Sequence, residues 1–243
     1  MSDHPTPKSR RTLPRWLVSL LSRFLFVAFP VFFVLTGVRF VATETFLRIE
    51  YNRPGFPADR FGFSTEDRLY YAPYAVEYLR NDADIDYLGD LTFENGLPLY
   101  NTRELRHMED VKVVTQAAFT IHAILSVLYL GAILILGWPR TTRPALRQAL
   151  ANGGLFTIML ILTLVVLIFA NWDFFFDNFH SIFFAGDSWL FSTSDTLIRL
   201  FPEQFWFDAA MSIGVFTIFW SLLAILGGFF YGRHNKTDES RED

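Results

Sequence analysis

The chain has 243 residues, a formal net charge of −4 and no cysteine, and it is 51% hydrophobic and 18% aromatic. That apolarity exceeds what an ordinary soluble domain carries and makes a membrane protein the default reading. Without cysteine there is no disulfide framework, thiolate nucleophile or Cys-type metal site, and the small net charge with no basic patch gives no support for a nucleic-acid partner.

Residues 1–15 form a basic, Pro-containing tail with Lys8, Arg10, Arg11 and Arg15. Residues 16–38 are almost wholly apolar and long enough to cross a hydrocarbon core of about 30 Å. Arg23 is near enough to the tail to snorkel, and Pro30 predicts a kink that neighbouring helices must cover. A cleaved signal peptide is the competing reading, but the run is longer than a typical signal core. Residues 39–112 are polar and acidic, an extracytoplasmic region with no further span. Ser64-x-x-Asp67 is a capping pattern that starts a helix running toward Arg80. Two short runs around Glu94-Asn95-Gly96 predict a small hairpin, so this region is expected to be α+β.

Asn101, followed three residues later by Glu104, caps a helix that continues into a second span over 113–138, with Gln116 and His122 as its polar members. A basic loop at 139–148 precedes a third span over 149–170. Residues 171–204 form a second polar loop, 205–231 a fourth span and 232–243 a charged tail. The expected class is therefore an all-α membrane protein with four transmembrane helices and a small α+β region between the first two. Lys and Arg concentrate in the first tail and in 139–148, which places both termini in the cytoplasm and both polar regions on the outer side.

That topology brings His107, just before span two, and His180, just after span three, to one depth at the outer interface. Interfacial histidines often bond only headgroups or backbone, so a shared site and two unrelated residues are both consistent with the placement. Asp110 lies three residues after His107, on a spacing that lets its carboxylate orient the ring or simply stabilise the helix surface. Within 178–206, His180, Asp187, Ser188, Asp195 and Arg199 sit among Phe and Trp, a mixture suited to one wall of an acyl-chain pocket. Trp172, Trp189 and Trp206 fit an aromatic belt at that level.

Gly186-Asp187-Ser188-Trp189-Leu190 resembles a nucleophile elbow but lacks its last glycine, so Ser188 reads better as a hydrogen-bonding residue. His107, Asp110, His180 and Asp187 form a conceivable metal set without any local ligand pair, and metal is the minor reading. His122 suits either a proton path or a hydrogen bond to a neighbouring helix. A short interfacial helix capped by Ser194 or Asp195 would carry Arg199, which either snorkels to a phosphate or turns inward to Asp187 or an anionic substrate group.

RELRHMEDVK at 103–112, with FHSIFF at 179–184, GDSWLF at 186–191 and DTLIRLFPEQFW at 195–206, resembles the signature of the lipoprotein intramolecular transacylase (Lit) family of bacterial membrane proteins. The resemblance implies an acyltransferase of the bacterial cytoplasmic membrane. Its substrate is a diacylglyceryl-modified lipoprotein, whose sn-2 acyl chain moves to the α-amino group of the N-terminal cysteine. It also implies that His107 and His180 are the catalytic pair. Asp110, Asp187, Ser188, Trp189 and Arg199 are the supporting candidates, membrane lipids are partners, and no cofactor or metal is called for. A non-catalytic lipid-binding or scaffold protein is the alternative, and a small transporter has little support from so few intramembrane charges.

Overall fold

The computed structural model describes residues 13–184, 186 and 188–239. Nine helices account for the regular structure among them: α1 (Arg15–Val41), α2 (Glu44–Tyr51), α3 (Thr65–Tyr78), α4 (Asp86–Gly89), α5 (Thr102–Gly137), α6 (Arg143–Ala170), α7 (Trp172–Phe183), α8 (Thr196–Leu200) and α9 (Glu203–Glu239). Four of them, α1, α5, α6 and α9, are long and apolar enough to cross a membrane. Pro30 lies inside α1 without ending it.

The spanning helices pack closely where side chains are smallest, as expected in lipid, where apolar burial gives little drive and contact area decides. A Cβ on Gly153 would stand 2.9 Å from the Phe29 Cβ, and one on Gly154 would stand 2.7 Å from the Ser221 carbonyl oxygen. These two glycines set the approach of α1 and α9 to α6. His122 hydrogen-bonds Thr36 at 3.0 Å, and Thr36 already donates to the Phe32 carbonyl, so His122 is the donor. Of the two sequence readings of His122, the structure shows the tie between neighbouring helices α5 and α1.

Helix α5 has 36 residues and is about 54 Å long at 1.5 Å per residue, well beyond the hydrocarbon thickness. Its apolar stretch begins at Val113, so its charged first turns project past it and carry His107 about 9 Å further along the axis. Those turns join a second hydrophobic core built from Tyr51 of α2, Tyr71 and Ala75 of α3, Leu99, and Leu197 and Leu200 of α8. Lys112 donates to the Ala83 carbonyl at 2.5 Å and lies 4.0 Å from the Tyr78 ring centroid, fastening the end of α3 to α5.

The expected α+β character of 39–112 is not found, because the segment is helical and no strand forms among the described residues. The Asn95-Gly96 turn does form, with Gly96 at φ +81°, but only an isolated Thr92–Pro98 bridge follows. Phe93 donates to Leu97 at 2.9 Å and Leu99 to Leu91 at 2.8 Å. Pro98 has no N–H to extend the ladder, and the segment then enters the α5 cap.

Candidate active site

Local sequence fixes the start of α5, and the same residues then reach across the fold. The Asn101 side chain accepts the Arg103 and Glu104 N–H groups, and Glu104 accepts the Asn101 N–H at 2.8 Å, a complete capping box. The other Glu104 oxygen accepts the Leu197 N–H at 2.7 Å, so one buried carboxylate closes the first turn of α5 and holds α8. Thr196 donates to the Leu99 carbonyl at 2.6 Å, and Asp195 pairs with Arg103 at 2.8 Å. From the opposite side, Arg68 and Tyr51 donate to the Arg199 and Leu200 carbonyls, each at 2.9 Å. The stretch after span three is thereby locked to the helix that carries His107. Glu104→Ala is expected to cost about 2–6 kcal/mol, since it strands two backbone N–H groups at about 1–3 kcal/mol each. Thermal unfolding of the purified protein measures this.

His107 is 9% exposed, and its ring stands 5.1 Å from Phe184 and 5.2 Å from Phe191, centroid to centroid. Its Nδ1 is buried with no hydrogen-bond partner among the described residues. Burial first, then the nearby His180, push its pKa down to about 4, against a smaller upward pull from Asp110. The imidazole is therefore neutral at ordinary pH.

His180 lies on α7, where Asn171 caps the helix by accepting the Phe174 N–H at 2.9 Å. Its Nδ1 is 2.8 Å from the Phe176 carbonyl, which can only accept, so Nδ1 carries the proton and Nε2 keeps its lone pair. The ring stacks on Trp189 at 5.0 Å and lies 4.0 Å from Phe176 and 5.8 Å from Phe184. Burial lowers its pKa as well, although the Phe176 hydrogen bond and Asp177 oppose the shift. Phe184 thus touches both histidines, and the two rings share one aromatic enclosure.

The supporting residues divide. Trp189 packs on His180, and the buried Ser188 Oγ has no partner among the described residues. Asp187 lies outside the described residues. Asp110 is solvent-exposed and makes no hydrogen bond to the buried Nδ1 of His107, so it acts on that ring only through space. Arg199 is engaged with a different partner: its guanidinium pairs with Asp59 at 3.0 Å and lies over the Phe63 ring at 3.7 Å. Helix α8 buries Thr196, Leu197 and Leu200, the last two in the hydrophobic core shared with α2 and α3. The exposed amphipathic helix is α7, with Phe174 and Ile182 64% and 74% exposed. Sequence reasoning did not single out Phe184 and Phe191 individually, although both stand inside the quoted motifs. Among the described residues, no three His, Asp or Glu side chains gather as a metal site requires.

The family profile of lipoprotein intramolecular transacylase Lit matches residues 23–206, most of the chain and all of these elements except the first turns of α1 and nearly all of α9. The chain belongs to the Lit family. An uncharacterised protein of Aquifex aeolicus (strain VF5) is 31% identical over 209 residues, covering 86% of this chain and 93% of that one. The structure resembles that of the membrane-integral Lit of Bacillus cereus, with a TM-score of 0.69 at 18% identity over 95% of this chain and 100% of that one. A histidine-to-alanine form of the same protein superposes with a TM-score of 0.66, covering 91% of this chain and 96% of that one. This Lit-family chain therefore shares the Lit fold and is a multi-pass membrane protein.

Proposed function

We propose that this chain is a lipoprotein transacylase that moves the sn-2 acyl group of a diacylglyceryl-modified lipoprotein onto the α-amino group of its own N-terminal cysteine. The product is a lyso-form, N-acylated lipoprotein. The observation that carries the reading is the meeting of two neutral histidines on Phe184, inside a Lit-family fold. The distribution of basic residues supports a bacterial cytoplasmic membrane location with both termini inside and the histidines at the outer face.

The reaction joins nitrogen to the acyl carbon and breaks the bond from that carbon to the sn-2 oxygen. Nitrogen must lose a proton, and the glyceryl oxygen must gain one. His180 is the base, because its Nδ1–H is tied to the Phe176 carbonyl and its Nε2 lone pair is free to accept. The proton taken by His180 is relayed to neutral His107, which gives its own to the departing oxygen, so that both rings end neutral. Both reacting groups belong to one substrate molecule, so proximity is built in and no acyl-enzyme is required. The Ser188 hydroxyl, which has no partner among the described residues, and the Trp189 N–H beside it are the donors for the tetrahedral oxyanion, since Arg199 is committed to Asp59. Phe184, Phe191 and the exposed apolar face of α7 offer acyl chains a surface continuous with the outer leaflet.

Mass spectrometry of lipoprotein N-termini, in cells whose lipoproteins otherwise remain diacylglyceryl-modified with a free amine, tests this directly. Expression of the chain should convert them to N-acyl lyso-forms of unchanged total acyl mass; free amines at full expression would contradict the reading. The pH profile follows from the same chemistry. Both histidine pKa values lie below the ordinary 6.5, so each base form is present above that pH and is lost only below it. The substrate amine, with a pKa of about 7.7–8.0, must itself be neutral to attack. Initial rates should therefore rise between pH 6.5 and 8 with the amine alone. A limb near 6.5 that disappears in a histidine variant would contradict the assigned protonation states.

A further inference from the structure

Helix α9 packs chiefly on α6 and α1, through contacts such as Ser221 on Gly154 and Ile213 on Gly37. A third face bears Met211, Val215 and Phe219, and among the described residues only α6 and α1 pack extensively on α9. Glu50, at the end of α2, and Arg53 overhang its outer end, and with Asp208 they enclose the head of an open groove of about 520 Å³. From Asp208 to Phe219 the groove runs about 16 Å along the axis, close to half of a 30 Å hydrocarbon core. Val215 is 67% and Phe219 54% exposed along it. The groove is thus one leaflet deep, apolar along its length and charged at its outer end.

The charges at that end do not balance. Arg53 donates to Glu50 at 3.1 Å and also pairs with Asp208, which accepts Gln204 at 2.9 Å. Two carboxylates face one guanidinium. Burial and the adjacent Asp208 hold the Glu50 carboxyl above its usual range, as expected of a carboxylate short of a cation. Arg53 is 36% exposed and has donor capacity left for an outer anion.

We propose that this groove holds one acyl chain of a membrane phospholipid whose headgroup carries a primary ammonium. The ammonium meets Glu50 and Asp208, the phosphate meets Arg53, and the chain lies along Met211, Val215 and Phe219. An anionic headgroup without the ammonium leaves the carboxylate excess unpaired, and a trimethylated one has no N–H to donate. None of the residues lining the groove is among the ring partners of His107 or His180, and the occupant proposed is bulk lipid and not the acyl donor.

Native mass spectrometry of the full-length detergent-purified protein, offered phosphatidylethanolamine, phosphatidylcholine or phosphatidylglycerol of identical chains, tests the assignment. Phosphatidylethanolamine should be retained at least several-fold more than the other two. Glu50→Gln with Asp208→Asn should bring it down to their level. Val215→Trp, at a lipid-facing position where folding is not at stake, should remove the retention with all head charges intact. Equal retention of the three lipids, or retention unaffected by Val215→Trp, overturns the proposal. So does displacement of the phospholipid by an equimolar diacylglyceryl lipopeptide, which would make the groove a substrate site.

Discussion

His107→Ala and His180→Ala are each expected to lower acyl transfer by about 10²–10⁴-fold, the range a positioned proton carrier supplies, while the protein still inserts and folds. The second half of that expectation comes from the packing. Helix α7 has no fully buried residue, so loss of the His180 ring removes little core contact. His107 is buried, but its Nδ1 has no partner among the described residues, and its removal strands no other polar group there. His180→Phe separates stacking from proton transfer, because a phenyl ring preserves the contacts with Phe176 and Trp189 and cannot accept a proton. It should be as inactive as His180→Ala. Rates on a diacylglyceryl lipopeptide, with circular dichroism of the same preparations, check the set; an active His180→Phe would remove His180 from the chemistry.

Arg199→Ala is expected to act on stability, with a loss of about 3–5 kcal/mol, as when one partner of a buried ion pair is removed. The side chains of Arg199 and Asp59 are 12% and 4% exposed. Burial pushes the Asp59 carboxyl up, but the Phe63 N–H and Arg199 together hold it below the usual range. Without Arg199 that carboxylate keeps its burial and loses its counter-charge, and the 59–63 turn loses its tie to α8. Arg199→Leu combined with Asp59→Leu should recover much of the loss, since neither charge then remains unpaired. Denaturant or thermal unfolding in detergent measures both. A drop in turnover with unchanged stability would instead return Arg199 to the reaction centre.

The parts of the fold legible in the sequence are those imposed by solvent or by short-range geometry. A membrane span must hide about twenty residues of backbone in lipid, and four such apolar runs are plain. The Asn101–Glu104 box is legible because its bonds span three residues. That the same Glu104 holds Leu197, 93 residues away, leaves no trace in spacing or composition. Arg199 shows the same limit: its partner Asp59 is 140 residues distant, whereas the sequence readings offer a headgroup phosphate, Asp187 or a substrate anion. Asp110 shows a different one, because helical spacing gives a shared face but does not decide which way a buried ring turns. Helix α7 is not legible in the sequence because Asn171, at φ −163° and ψ 96°, ends α6 and caps α7 within one residue, a break too short to show as a composition change.

The most direct test of intramolecular transfer assisted by two histidines is a crossover measurement. Two diacylglyceryl lipopeptides of different peptide mass, one with an isotopically labelled sn-2 chain, are mixed and treated with the membrane-embedded protein, and the N-acylated products are read by tandem mass spectrometry. The account predicts that the label appears on nitrogen only in the peptide that began with it, and that neither His107→Ala nor His180→Ala yields product above background. Label on the other peptide, or product formed without the histidines, would contradict it.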